Sequence, residues 1–305
     1  MVKRYLPSED PASPYGRRVK LAGAPISWGV CEVPGWGHQM APERVLAQMR
    51  DLGLGASEAG PPGFLPEEAA RARPLLDRYG LRMIGGFVTA VLHRPEARVS
   101  ELGAVERQAA WLAALGGDVL VLAAATGAAG YSAADEVDAA GWTALFAGLD
   151  EVARIAAEHR LTLAVHPHFG TVIERKAHVD RFLEGCGHGL CLDTGHLALG
   201  GADPVDIATR ARDRVVHVHL KDVDASLGAA VRERALDYAP AVRRGLYRAL
   251  GEGSARVADV IALLRDRAYR GWYVLEQDVM IDGDPPGVPA WIGTSVEFAR
   301  THGRA

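Results

Sequence analysis

Residues 189–221 read GLCLDTGHLALGGADPVDIATRARDRVVHVHLK, and this stretch decides the fold. The run 189–194 (GLCLDT) is short and apolar and closes on an acid. The run 215–221 (VVHVHLK) is rich in β-branched residues, with two histidines spaced two apart. Between them, 204–212 (PVDIATRAR) has helical period and opens on Pro204, a residue suited to the first turn of a helix. Strand, crossover helix and strand within about 30 residues form one parallel βαβ unit.

The same unit recurs outward from there. Further strands are expected at 19–28, 55–59, 83–89, 119–125, 161–167 and 272–277. Helices fill the gaps at 42–53, 66–80, 99–115, 141–159, 174–184, 256–268 and 288–302. Pro74 lies inside the second of these and predicts a kink or break. Strict βα alternation implies a parallel sheet covered by helices. Eight strands and at least eight helices in 305 residues favour a single closed (β/α)8 TIM barrel over an open doubly wound sheet. No G-x-G-x-x-G motif follows the first strand, so neither a dinucleotide fold nor an NAD-dependent reaction is implied. Residues 1–18, with three prolines and scattered charges, read as a loose N-terminal arm. Residues 19–305 read as one TIM-barrel catalytic domain.

Composition narrows the function. With 49% hydrophobic and 24% charged residues the chain is an ordinary globular one. The net charge of −4 gives no electrostatic footprint for nucleic acid or an anionic membrane, so neither partner is expected. Cys31, Cys186 and Cys191 form no C-x-x-C pair and leave an odd one, which argues against a disulfide framework. The longest apolar run, Val119 to Ala125, is far shorter than the ~20 residues of a membrane helix. No apolar stretch follows Met1, so a cytoplasmic protein is expected.

In such a barrel the active site lies at the C-terminal ends of the strands. Four consecutive strands end in metal-ligand chemistry: His166 with His168, Asp193 with His196, His217 with His219, and Glu276 with Asp278. The intervals from His166 to Asp193 and from Asp193 to His219 are 27 and 26 residues, one barrel step each. The interval from His219 to Glu276 is 57 residues, a step plus an insertion at 223–250. That insertion follows the seventh strand and is expected to form helices beside or over the pocket. A mixed N/O site suits one divalent ion of the Mn, Co, Fe, Ni or Zn kind better than calcium. Other readings compete: Asp193 as a helix cap, Glu276 as half of an arginine pair, Lys221 as a solvated lysine. Glu58 ends the second strand with a similar choice, between substrate contact and structure. Trp28 and Trp36 are candidates for an apolar wall or for packing.

AVHPHFGT (164–171), CLDTGHLALGGADP (191–204), RVVHVHLKDVDA (214–225) and GWYVLEQD (271–278) resemble the xylose-isomerase-like barrel superfamily of sugar isomerases, epimerases and dehydratases. APISWG (24–29), SEAG (57–60) and VLAAATG (121–127) extend the likeness, which within the superfamily is greatest to inosose dehydratases. The resemblance implies one divalent metal on His166, Asp193, His219 and Glu276, with His168 as an alternative to His166. The epimerase pattern has a glutamate where His166 stands, so the symmetrical pair of carboxylates that exchanges a proton across one carbon is missing. The implied activity is metal-assisted dehydration of a cyclic polyol ketone such as 2-keto-myo-inositol, a small-molecule substrate. Glu276, His196, His168 and Lys221 are the candidates for proton transfer. Trp28, Glu58, Lys221 and His196 are the candidates for substrate binding. A sugar or sugar-phosphate isomerase or epimerase is the alternative. An endonuclease of the superfamily and a non-catalytic carbohydrate-binding barrel are more distant ones. A homo-oligomer is compatible with the fold, though nothing in the sequence fixes it.

Overall fold

The computed structural model describes residues 19–128 and 136–304; the expected N-terminal arm lies outside them. Eight strands close into a parallel barrel in the chain order β1 (Lys20–Gly23), β2 (Ala56–Glu58), β3 (Arg82–Ala90), β4 (Val119–Ala124), β5 (Thr162–Val165), β6 (Gly189–Asp193), β7 (Val215–Leu220) and, last, β10 (Trp272–Leu275). The ring shuts where Lys20 pairs with Trp272 and Gly23 with Leu275. Two further short strands, β8 (Asp222–Val223) and β9 (Tyr247–Arg248), form a separate antiparallel pair.

The helices on the outside are α1 (Pro42–Asp51), α2 (Ala69–Arg78), α3 (Pro95–Ala114), α4 (Ala139–Glu158), α5 (Lys176–Gly185), α7 (Pro204–Ala211), α10 (Val257–Asp266) and α11 (Ala290–His302). Three others, α6 (Thr194–Leu199), α8 (Ala225–Arg232) and α9 (Tyr238–Arg243), lie between them in the chain. Among the described residues no helix is long and apolar enough to cross a membrane.

The two-residue period of a strand sorts its side chains between barrel interior and helical shell. Leu190 and Leu192 of β6, and Val218 and Leu220 of β7, join the large core between sheet and helices. Their neighbours Cys191, Asp193, His217 and His219 therefore point inward. Ala22, Ala56, Ile84 and Val274 fill one part of the interior, and Val119, Val121, Ala164 and Cys191 another. The strand ends above these layers are free for chemistry.

Proline and capping chemistry account for the departures from the sequence reading. The first strand stops at Gly23, and Pro25–Trp28 forms a 3-10 turn instead, because Pro25 has no N–H to continue the ladder. β5 likewise ends at Val165, before Pro167, so His166 and His168 sit on the loop beyond the strand rather than on one strand face. α2 runs across Pro74 without stopping. Pro74 falls in the second turn, where its missing N–H removes only one intrahelical bond. The short α6, absent from the sequence reading, starts where the Asp193 carboxylate accepts the His196 backbone N–H at 2.8 Å.

The insertion is where the sequence placed it. β8 and α8, α9 and β9 pack Val223, Val231, Tyr238 and Tyr247 against Cys31 and Trp36 of the β1 loop, Phe169 of the β5 loop and Leu199. These neighbours belong to the C-terminal rim, so the insertion forms a lid on one part of that rim, and it contributes no residue to the lining of the cavity at the strand ends.

Candidate active site

The four predicted metal positions converge. Oδ2 of Asp193 lies 3.4 Å from Nε2 of His166 and 3.5 Å from Nδ1 of His219. That same Nδ1 is 3.1 Å from Oε2 of Glu276. Asp193 and His219 are register partners on β6 and β7, which is why they meet. His166, Asp193 and His219 are all buried.

Three groups of side chains could hold an ion: His166, Cys191 and His219; Glu58, His217 and His219; and Asp193, His196 and Glu276; the first two share His219, and the four predicted ligands are divided between the first and the third. Local chemistry separates them. Burial pushes the Cys191 thiol up to about 12, so it is a poor source of thiolate. Oε1 of Glu58 already accepts hydrogen bonds from Nε2 of His217 at 2.7 Å and of His219 at 3.0 Å. The Lys221 ammonium stands among the third group, 3.6 Å from Asp193, 3.1 Å from His196 and 2.6 Å from Glu276. What is left is the face of His219 opposite Glu58. There Nδ1 is buried without a hydrogen bond and looks at two carboxylate oxygens. An orphaned imidazole nitrogen between carboxylates fits a divalent cation.

Without an ion, the side chains set one another's charge. Burial disfavours an anion at Glu58, but His219 and His217 outweigh it and hold the carboxyl well below its usual range. Burial opposes charge at Asp193 too, and Lys221 and His196 override it downward. Burial likewise works against cations at Lys221 and His219. Asp193, Asp278 and Glu276 raise the Lys221 ammonium nonetheless, and Cys191, Glu276 and Glu58 raise His219. Glu276 is raised by burial, partly offset by His219 and Lys221. Burial lowers His166 to about 4, and lowers His168 and His196 well below their ordinary value. Those three imidazoles are neutral, the form that ligates metals and accepts protons.

Each residue of the Asp193–His196 run answers to the next strand. Asp193 divides its carboxylate, Oδ1 capping α6 and Oδ2 facing the imidazoles. Thr194 Oγ1 accepts the Lys221 backbone N–H at 2.9 Å and donates to the Lys221 carbonyl at 2.6 Å. Gly195 gives room: a Cβ there would lie 2.5 Å from Cγ of Lys221. His196 receives the lysine head group.

Beside this cluster lies a cavity of about 330 Å³, within the range of small-molecule sites. Glu58, His166, His168, Glu276 and Asp278 line its polar side, and Ile26, Trp36 and Phe87 its apolar side. Trp28 is placed elsewhere. It is fully buried, with its indole N–H donating to Oε1 of Gln48 at 2.8 Å, because the 3-10 turn swings it toward α1. Phe87 stands in its stead, packing against the rings of His166 and His168. Lys221 and His196 lie behind the lining residues and are almost entirely buried.

Besides Phe87, the sequence reading missed two tyrosines. Tyr238 donates to Oδ2 of Asp278 at 2.7 Å, and the Tyr247 hydroxyl lies 3.4 Å from Nδ1 of His196. Both come from the insertion, whose tyrosines were the only signal available.

The comparisons agree with this architecture. The Xylose isomerase-like TIM barrel family matches residues 46–302. The chain is 32% identical to the rhizopine catabolism protein MocC of Rhizobium meliloti, over 89% of this chain and 86% of that one. It is 30% identical to an inosose dehydratase of Geobacillus kaustophilus, over 85% and 87% respectively. Among solved structures, the probable 3-DHS dehydratase AsbF of Bacillus anthracis superposes with a TM-score of 0.67 at 16% identity, covering 92% of this chain and 98% of that one. That last likeness concerns the fold. Closed barrel, strand-end cluster and family match together establish that this enzyme belongs to the xylose isomerase-like TIM barrel family.

Proposed function

We propose that this enzyme is a divalent-metal-dependent hydro-lyase that removes water from a cyclic polyol ketone such as 2-keto-myo-inositol. The observation that carries the reading is the orphaned Nδ1 of His219, facing Asp193 and Glu276 beside His166, at the edge of a sugar-sized cavity. Similarity to an inosose dehydratase over most of both chains supports the substrate class.

His166, Asp193, His219 and Glu276 would hold the ion. A bound divalent cation there supplies Lewis acidity toward a ketone oxygen and steadies the negative charge that develops on it. Elimination breaks the C–H bond next to the carbonyl, and its electron pair forms the C=C bond. The C–O bond of the neighbouring hydroxyl then breaks, and water leaves. Glu276 is the candidate base for the first proton. Burial raises its carboxyl toward the working range of a base, while Lys221 steadies its anion from 2.6 Å. His168, on the cavity wall, and His196 behind it are neutral, so they are the candidates for taking up the proton that Glu276 removes and passing it to the departing hydroxyl. Phe87 and Trp36 give a sugar ring an apolar face.

Incubating the purified protein with 2-keto-myo-inositol and Mn²⁺ or Co²⁺ tests the reading, because dehydration creates a conjugated enol chromophore. Efficient 3-epimerisation of a ketohexose with no dehydration of the inosose would overturn it. His166 argues against epimerisation, since it removes the first carboxylate of that two-base device.

A further inference from the structure

We infer that Tyr238 and Tyr247, carried in by the lid, are positioning residues that fix the tautomer of His196 through a closed hydrogen-bonded ring with Lys221 and Asp278. The inference rests on the proposed dehydratase reading for the importance of His196, but its geometry stands independently.

The ring can be walked atom by atom. Lys221 Nζ lies 2.7 Å from Oδ1 of Asp278, and Oδ2 of Asp278 lies 2.7 Å from the Tyr238 hydroxyl. The Tyr238 and Tyr247 hydroxyls are 3.0 Å apart. Tyr247 reaches Nδ1 of His196 at 3.4 Å, and Nε2 of His196 returns to Lys221 Nζ at 3.1 Å. All five residues are buried, with Asp278 and Tyr238 the most exposed at 5%.

Its two ionic members set its direction. An ammonium only donates and a carboxylate only accepts. Lys221 must therefore donate to Nε2 of His196, which leaves the imidazole proton on Nδ1. At the other end Tyr238 must donate to Asp278, so its oxygen takes the Tyr247 proton. The Tyr247 oxygen is then turned to receive the Nδ1 proton of His196. Burial next to Asp278 raises both phenols well above their ordinary value, which keeps the two hydroxyl protons in place. One contact opposes the arrangement: the Phe169 backbone N–H lies 3.3 Å from the same Nδ1 and would prefer a bare nitrogen. The lysine contact is shorter and carries a full charge, and it prevails.

Lys221 thus selects the tautomer with the proton on Nδ1, and the tyrosines hold it there, because Asp278 and Tyr238 keep the Tyr247 oxygen turned to accept that proton. Swapping that tautomer would set an N–H against an ammonium and release Lys221 from its place beside Glu276.

Histidine-selective 15N NMR on the full-length protein with Mg²⁺, a diamagnetic ion, reads the tautomer directly. His196→Gln assigns the resonance. His196 is expected in the Nδ1–H form, and Tyr247→Phe is expected to shift its nitrogen pair while leaving the other histidines in place. Tyr238→Phe should give a smaller shift of the same resonances, and it serves as the readout if Tyr247→Phe does not fold. In turnover of 2-keto-myo-inositol, Tyr247→Phe should lower kcat roughly tenfold with little change in KM, less than the roughly 10²–10⁴-fold that a whole acid–base group contributes, because His196 is reoriented rather than lost. An Nε2–H tautomer in the unmodified protein, or His196 resonances indifferent to both substitutions, would overturn the inference. If the inosose is not turned over at all, the dehydratase reading fails while the NMR result still decides this one.

Discussion

Nε2 of His219 and Oε1 of Glu58 lie 3.0 Å apart, joining β7 to β2 across the barrel. The bond settles which nitrogen of His219 faces the cluster, because an N–H committed to Glu58 leaves Nδ1 for the carboxylates. Glu58→Gln should therefore weaken divalent-metal binding roughly 10–100-fold, as loss of such a supporting partner does, with the fold retained. Calorimetric titration of Mn²⁺ or Zn²⁺ into the variant measures it. Unchanged affinity would assign Glu58 to substrate contact alone.

Chelation gives a second outcome. Removing a bound divalent ion leaves Asp193 and Glu276 with only imidazoles and Lys221 between them. Dialysis against EDTA should abolish turnover and lower the melting temperature. The lost stability should reach about 2.7 kcal/mol for an ion supplied at a hundred times its Kd. Adding Mn²⁺, Co²⁺ or Zn²⁺ should restore both.

Asp222 separates structure from chemistry. Its oxygens accept the backbone N–H groups of Val223, Ala255, Gly251 and Gly253 at 2.9–3.1 Å. An amide cannot accept all four, so Asp222→Asn should cost about 1–3 kcal/mol of stability, the penalty of leaving buried donors unpaired. Denaturant unfolding reads the loss. Metal affinity of the folded fraction should be unchanged, since Asp222 touches none of the proposed ligands.

Gly195→Ala is expected to damage both properties. The new Cβ would lie 2.5 Å from Cγ of Lys221, near the root of that side chain rather than at its mobile end. Overpacking of this kind costs about 1–3 kcal/mol. Because the lysine head must shift from Glu276 and Asp278, kcat should fall by more than the stability loss explains. Thermal melting and steady-state kinetics on one preparation distinguish the two effects.

His166→Glu restores the carboxylate of the epimerase pattern. Metal binding should persist, since a carboxylate still suits a divalent ion. Dehydration should fall several-fold, and chromatography of ketohexose products should begin to show epimers. Dehydration at the unmodified rate would mean that His168 rather than His166 carries the role.

Much of this was legible in the chain, for identifiable reasons. Period-two strands placed Asp193 and His219 on inward faces, and one-step spacings put them on adjacent strands, so their meeting followed from topology. The cap and ligand readings of Asp193 were posed as alternatives, whereas Oδ1 makes the cap and Oδ2 stays turned to the imidazoles, so one does not exclude the other. Trp28 was misplaced because the strand was read through Pro25, and nothing local announces that the turn beginning there carries the indole to Gln48. The tyrosines of the insertion were out of reach for a different reason. Their partners, Asp278 and His196, are 40 and 51 residues away from Tyr238 and Tyr247, and no periodicity links a lid to the rim it covers.

The lid enters and leaves the barrel through β8 and β9, whose residues Asp222 and Val223 pair with Arg248 and Tyr247. Its two ends are therefore neighbours, and the segment between them behaves as an exchangeable cassette. A loop of another length or composition could be spliced across Val223 and Tyr247 without moving a barrel strand or any of the proposed ligands. Such a graft would replace Tyr238 and keep Tyr247, changing the company of Asp278 and, through Tyr247, of His196, while sparing His166, Asp193, His219 and Glu276. The scaffold thus offers one point at which new selectivity can be introduced without rebuilding the proposed metal site.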